Sequence, residues 1–226
     1  MAMSSQPSPR QLTTPRAAAV AGVIFALLFG AVLILIRTNM PEGAAASSEW
    51  LNSRGRGIAA AATLMPFAGI SFLWFIGVVR DGLGRYEDKF FASVFLGSGV
   101  LFIAMLFVLA AIFGALLGVA GLHSGNPPLD IWQLGRQTTF NLASIYAVRM
   151  GAVFMIAAST IAFRLRIHSR IVAVVGYAAA LLLLFASSSI PWLQLVFPVW
   201  VLLVSINIVI LSYRKAGSPA ETAYSR

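Results

Sequence analysis

The chain alternates between long runs of apolar residues and short polar segments. Six apolar runs predict helices, at residues 17–36, 58–79, 90–122, 138–163, 171–187 and 190–213. A bilayer-spanning helix needs about 20 apolar residues, with a tolerated range of about 17 to 25. The third run is longer and is expected to tilt or to leave the hydrocarbon near Gly118 or Gly121. The pattern therefore predicts an all-α, polytopic membrane protein with six transmembrane helices.

Composition supports this class. The chain is 59% hydrophobic and 10% charged, with a mean hydropathy of +0.88, whereas a soluble domain is about 25% charged. The first run has 20 residues, longer than the 7 to 15 of a secretory signal and therefore typical of an uncleaved helix, although residues 44–46 leave a cleaved signal peptide as an alternative. We expect a disordered cytoplasmic tail at 1–16, a six-helix transmembrane domain at 17–213 and a cytoplasmic tail at 214–226.

The basic residues predict the orientation, because cytoplasmic connections are enriched in Lys and Arg. The expected cytoplasmic side holds eleven: Arg10, Arg16, Arg80, Arg85, Lys89, Arg164, Arg166, Arg170, Arg214, Lys215 and Arg226. The other side holds four: Arg37, Arg54, Arg56 and Arg136. Both termini are therefore predicted to be cytoplasmic, in the plasma membrane. The net charge of +9 is interpreted as a topology signal, and no nucleic-acid partner is expected.

Arg149 carries the one formal charge inside a predicted span. An arginine at membrane depth costs about 2.5 to 3.5 kcal/mol on insertion scales and often marks a function. No Asp or Glu lies in any predicted span, so three interpretations stay open. Arg149 is a structural clamp on backbone carbonyls, it binds an anionic ligand or lipid, or it meets an acidic residue of another subunit. In each case we expect protein on both sides of this helix.

Two prolines suggest where a ligand would enter. Pro66 and Pro198 are expected to kink the second and sixth helices, because each removes a helical hydrogen bond. With Arg149 at its base, this predicts an outward-opening polar cavity between the second, fourth and sixth helices. Further candidate ligand-binding residues are Tyr146, Asn141, Ser144, Gln194 and Asn207.

Small residues predict close helix packing. They form one stripe in the fourth helix, Ala143, Ala147 and Gly151, and a second pair in the third helix, Gly114 and Gly118. The second pair fits packing within the chain or assembly of a homo-oligomer. Residues 38–57 and 123–137 are interpreted as outer loops, and Trp50, Trp132 and Trp192 are expected at the outer membrane interface.

No catalytic, metal or cofactor motif occurs in the sequence. There is no cysteine, and both histidines, His123 and His168, fall in predicted connections. An acid/base pair of His123 with Asp130 has no nucleophile beside it and is interpreted as ordinary loop chemistry. We therefore expect a protein that is not an enzyme and that holds neither metal nor cofactor.

A resemblance covers most of the chain from the second helix to the sixth. The segments PFAGISFLWFIGVVRDGLGRYEDKFFASVFLGSGVLF, YAVRMGAVFMIAASTIAF and VFPVWVLLVSI resemble those of a group of uncharacterised actinobacterial integral membrane proteins. The resemblance implies a six-helix membrane protein and assigns no activity and no site residues.

Two functions are predicted from the residues. The first is a small binding or transport protein for an anionic or amphipathic molecule, such as a lipid, in an outward-opening cavity near Arg149. The alternative is a non-catalytic accessory subunit of a larger membrane complex, packed through its small-residue faces. An enzyme acting on lipid ranks third, because no acid, base or nucleophile lies where a headgroup would reach.

Overall fold

The computed structural model describes residues 14–40, 48–83, 89–164, 170–187, 190 and 192–216. Seven α-helices lie in this part of the chain: α1 Thr14–Asn39, α2 Ser48–Leu83, α3 Lys89–Leu122, α4 Leu129–Asn141, α5 Val148–Arg164, α6 Arg170–Ala186 and α7 Val196–Ala216. A π-helical segment, Leu142–Ala147, joins α4 to α5, and a 3-10 turn, Leu193–Leu195, precedes α7. The predicted tails fall largely outside the described residues.

Five helical stretches are long and apolar enough to cross a bilayer by length and composition. They are Ala17–Asn39, Ser53–Arg80, Lys89–Leu122, Leu129–Arg164 and Leu193–Ile210. A sixth stretch, Ala173–Ala186, is apolar but shorter. The chain therefore has the all-α architecture of a polytopic membrane protein, with one helical stretch for each predicted apolar run.

Several helices extend beyond the predicted runs, which corrects both outer loops. α2 begins at Ser48 and α4 at Leu129, so most of 48–57 and 129–137 is helical. Pro128 occupies the N-cap position of α4 and Asp130 lies in its first turn. A proline is tolerated where no helical N–H is needed, and an acidic residue is stabilised by the positive helix N-terminus. These polar residues prolong the helix past the apolar run.

The predicted interfacial tryptophans differ in exposure, and their place at a membrane interface stays a prediction. Trp132 lies on α4 and is 3% exposed. Trp192 is exposed, as an interfacial side chain should be. The side chain of Trp50 lies outside the described residues.

Successive helical stretches run antiparallel, with α4, the π segment and α5 counted as one stretch. α1 packs along α2 and α7, α2 along α3, α3 along α5, and α5 along α6. Gly57 approaches Asn39, and Gly22 approaches Phe75, so α1 and α2 run in opposite directions. We call the end of the bundle where α1 finishes and α4 begins the Arg37 end, and the opposite end the far end.

Phenylalanine rings fill the middle of the bundle. Five of them form what we call the phenylalanine plug: Phe25, Phe29, Phe72, Phe102 and Phe197. Phe72 contacts three of the others, with ring centroids 4.4 Å from Phe25, 5.3 Å from Phe102 and 5.6 Å from Phe197. The packing continues toward the far end through Phe154 and Phe95, which stack at 4.5 Å. Aromatic pairs of this geometry contribute about 0.5 to 1.5 kcal/mol beyond their buried area.

Candidate functional site

A cavity of about 490 Å³ lies in the Arg37 end of the bundle. Its walls come from α1, α3, the continuous α4–π–α5 helix and the start of α7. The residues lining it near the bundle end are exposed, whereas those nearest the phenylalanine plug are buried. The cavity therefore opens at the Arg37 end and is closed toward the far end.

Cations and polar groups line the opening. Arg37 lies in the last turn of α1 and is exposed, and Arg136 lies on the part of α4 that extends beyond the predicted apolar run. Gln137 and Trp192 complete this rim. Guanidinium groups match carboxylate and phosphate oxygens in bidentate geometry. The rim is therefore suited to an anionic group.

The inner part of the cavity is apolar. Phe29, Phe102 and Phe197 form its floor, and each is at most 6% exposed. Val32 and Leu106 belong to the walls just above and are fully buried as well. The cavity thus passes from cationic to wholly hydrocarbon surroundings along one direction, an arrangement that suits an amphipathic guest.

The π segment forms one wall and is tied to the α6–α7 connection. Ser144 Oγ accepts a hydrogen bond from Gln194 Nε2 at 2.9 Å, and the backbone carbonyl of Ser144 accepts one from Ser187 Oγ at 3.2 Å. The Val148 N–H donates to the Ile145 carbonyl where the segment ends. π-Helical turns are rare and occur frequently at functional sites. Here the turn brings Ser144 and Ala147 to the cavity wall.

Among the predicted ligand-binding residues, the structure brings Ser144 and Gln194 together at the cavity. Asn141, Tyr146 and Asn207 are not among its lining residues. Asn141 accepts a hydrogen bond from Gln137 Nε2 at 3.2 Å, and Tyr146 is exposed.

The cavity also lies between different helices from those predicted. α1 and α3 border it together with the fourth and sixth predicted spans, whereas none of the described side chains of α2 lines it. The physical reason is that α1 packs along both α2 and α7. It thereby separates α2 from the cavity.

Arg149 does not line the cavity, and its side chain is exposed. Within the single chain, described residues therefore cover only one side of this helix, and protein on its other side stays a prediction. One residue turns a helix by about 100°, so Arg149 points away from Ala147 and Val148, which face the cavity. No hydrogen bond or ion pair joins Arg149 to another described residue, which leaves the clamp interpretation without a contact. The ligand and partner-subunit interpretations stay predictions.

Neighbouring contacts show the depth of Arg149 in the bundle. Ser144 meets Ser187, just past the end of α6, and Gly151 lies against Phe197, in the first turn of α7. Arg149 thus lies level with the last turn of α6 and the first turn of α7. Helical side chains lean toward their own N-terminus, here toward the Arg37 end. Such a side chain reaches an interface by snorkelling.

The two prolines differ in their effect. Pro66 lies inside α2, as predicted. Pro198 lies in the first turn of α7, directly after the 3-10 turn. A proline near a helix start interrupts few hydrogen bonds, and the kinks at both prolines stay predictions.

The small residues divide into packed and open positions. A Cβ atom at Gly151 would meet the Phe197 ring at 3.4 Å, and Ala147 is 6% exposed, so this stripe faces α7. Ala143 is half-buried and lines the cavity. Gly114 and Gly118 are exposed, with no atom within 4 Å of an added Cβ. They do not pack against described residues of the chain.

Sequence reasoning missed the rim arginines because both counted only as topology signals. The sequence contains one signal that would have pointed to Arg136. Two prolines before Asp130 mark a helix start, and a helix from there places Arg136, Thr139 and Ala143 on one face. All three line the cavity.

His123 and Asp130 do not form a recognisable catalytic site. His123 Nδ1 lies 2.8 Å from the Val119 carbonyl, and both side chains are exposed. Within the described ranges, no group of three or more His, Cys, Asp and Glu residues could hold a metal ion.

No protein-family model, curated protein or solved structure matches this chain. The resemblance to actinobacterial membrane proteins therefore stays a prediction.

Proposed function

We propose that this protein binds an anionic amphipathic molecule, such as a lipid with a single acyl chain, in the cavity at the Arg37 end. The anionic head lies between Arg37 and Arg136, and the chain extends toward the phenylalanine plug. The observation that carries the proposal is the combination of a cationic rim and a buried apolar floor in one cavity.

The size of the cavity supports a small guest. Ligand pockets in proteins measure about 300 to 1,000 Å³, and this cavity measures about 490 Å³. That volume favours one alkyl chain with a compact head over a complete two-chain phospholipid.

The distribution of basic residues supports an outward-facing opening. With six spans, the positive-inside rule puts both termini in the cytoplasm and the Arg37 end outside the plasma membrane. The sixth span requires α6 to cross with 17 residues, at the lower limit for a bilayer. The guest would then enter from the outer leaflet or the external medium.

The closed floor favours binding over conduction. The phenylalanine plug lies between the cavity and the far end, and its five rings are at most 6% exposed. Transport through the bundle would require these rings to separate. Retention and delivery of a guest require only the observed opening.

Native mass spectrometry of the gently solubilised full chain tests the proposal. We expect a small anionic amphiphile bound to the wild type and lost in the double variant Arg37→Gln with Arg136→Gln. The matched control is Arg54→Gln with Arg56→Gln, which removes the same charge from two exposed arginines of α2 outside the cavity. Equal retention in the two double variants, or no bound mass in the wild type supplied with an alkyl phosphate, contradicts the proposal.

The open glycine face of α3 favours a second candidate, an accessory subunit. Gly97, Gly114 and Gly118 are exposed and have free space at Cβ, and such positions let another transmembrane helix approach closely. For this function, a stoichiometric partner should copurify in mild detergent with the wild type and not with Gly114→Leu plus Gly118→Leu. An unaltered monomer in both preparations removes this candidate.

A further inference from the structure

We infer that the phenylalanine floor limits the chain length of the bound molecule, so that the cavity selects single-chain anionic amphiphiles up to a fixed length. The inference rests on the proposed function and adds selectivity to it.

Three rings from three helices form the floor. Phe29 of α1, Phe102 of α3 and Phe197 of α7 contact one another, with ring centroids 5.4 Å, 4.9 Å and 6.4 Å apart. Each lines the cavity. A chain end that reaches this triangle meets ring carbons on all sides.

A second layer of rings supports the floor from behind. Phe25 and Phe72 are 0% exposed and do not line the cavity. Phe72 lies 5.3 Å from Phe102 and 5.6 Å from Phe197, and Phe25 lies 5.4 Å from Phe29 between centroids. Because protein interiors are close-packed, the floor rings have little room to yield. The depth of the cavity is therefore fixed.

A fixed depth predicts a break in the dependence of affinity on chain length: affinity rises with each methylene up to one length and then stops rising. Each methylene buried before the floor should raise affinity about fourfold. A chain that is too long must fold back or leave its head short of the rim cations, and its affinity stops rising. The arginines thus fix one end of the guest and the rings the other.

The test uses a series of n-alkyl sulfates of increasing length, bound to the full chain in a neutral detergent and measured by native mass spectrometry. Phe102→Leu and Phe102→Ala enlarge the floor and should move the break to longer chains, with about a fourfold gain for each additional methylene accommodated. Phe95→Ala is the matched control, because Phe95 is 1% exposed but lies outside the cavity. Because every variant is measured with the same probes in the same detergent, partitioning of the probes into detergent does not affect the comparison between variants.

A break that moves in the Phe102 variants and not in Phe95→Ala supports the inference, and Phe102→Leu alone decides it if Phe102→Ala does not fold. An affinity that rises steadily with length in the wild type overturns it. A break that moves equally in Phe95→Ala also overturns it, since general loosening would then be the cause. If no sulfate binds the wild type above Arg37→Gln with Arg136→Gln, the proposed function itself fails.

Discussion

The two ends of this bundle are packed differently. At the far end, rings from α2, α3 and α5 interlock around Phe154, which is 0% exposed. At the Arg37 end, α1, α3, the α4–π–α5 helix and the start of α7 surround about 490 Å³ of space. Lipid tails are as apolar as the helix surfaces, so tight packing rather than the hydrophobic effect associates helices in a bilayer. Under the proposed function, the space at the Arg37 end is a binding site rather than a packing defect.

The difference has a local structural cause. Helices at the far end are regular α-helices. At the Arg37 end, the fourth span contains the π segment, α6 stops at Ala186, and α7 starts with a 3-10 turn. Two of these irregular segments are joined at the cavity wall, where Gln194 of the 3-10 turn donates to Ser144 of the π segment.

The largest difference in stability is expected between two variants that each lack one phenylalanine ring, one at each end of the bundle. Phe154→Ala should destabilise the protein by about 3 to 5 kcal/mol, since it leaves a void among four aromatic neighbours. Phe140→Ala should cost about 1 kcal/mol or less, because Phe140 is 47% exposed at the cavity. Unfolding in detergent by chemical denaturant measures both. Equal losses would mean that the two ends are packed alike.

Alanine substitutions at two glycines of α1 should change the stability of the protein in opposite directions. A methyl group at Gly22 collides with Ser205 and Phe75, whereas at Gly30 it meets no atom within 4 Å. Gly22→Ala should destabilise by about 1 to 3 kcal/mol through overpacking. Gly30→Ala should stabilise by about 0.5 to 1 kcal/mol, because alanine favours the helix. Thermal unfolding of the pair measures the difference, and a shift of the same sign in both would contradict the assigned packing.

The hydrogen bonds of the π segment should have a smaller effect. Ser144→Ala and Gln194→Ala should each cost about 0.5 to 1.5 kcal/mol. The double variant should cost less than the sum, since both substitutions remove the same bond. Ser98→Ala is the control, because Ser98 Oγ bonds only to carbonyls of its own helix. Additive losses in the double variant would show that the Ser144–Gln194 bond contributes nothing to stability.

The sequence predicts the helices better than the site. Residues 17–36 and the other runs each coincide with a helical stretch, because twenty apolar residues are a strong local signal. The ends of α2 and α4 were missed because polar residues also continue a helix outside the hydrocarbon. The π segment could not be predicted, since no residue in 142–147 forbids a regular α-helix.

The cavity could not be located from the sequence for a tertiary reason. Lipid-facing and core-facing sides are both apolar in these helices, so hydrophobic periodicity does not show which side is inside. Phe102 is 1% exposed and Phe107 is 42% exposed, yet both look alike in the sequence. The choice of α1 rather than α2 as a cavity wall depends on how the helices pack, which residue types alone do not specify.

Substitution of Arg149 should have the smallest effect on the free energy of unfolding and on binding. Arg149 lies two residues beyond the π segment, exposed and without a hydrogen bond to another described residue. Arg149→Met should therefore change the free energy of unfolding by no more than about 0.5 kcal/mol, and it should leave alkyl sulfate binding unchanged. A loss of several kcal/mol would restore the structural clamp, and lost binding would shift the site from Arg37 and Arg136 to Arg149. Denaturant unfolding and native mass spectrometry of this one variant, beside the wild type, measure both quantities.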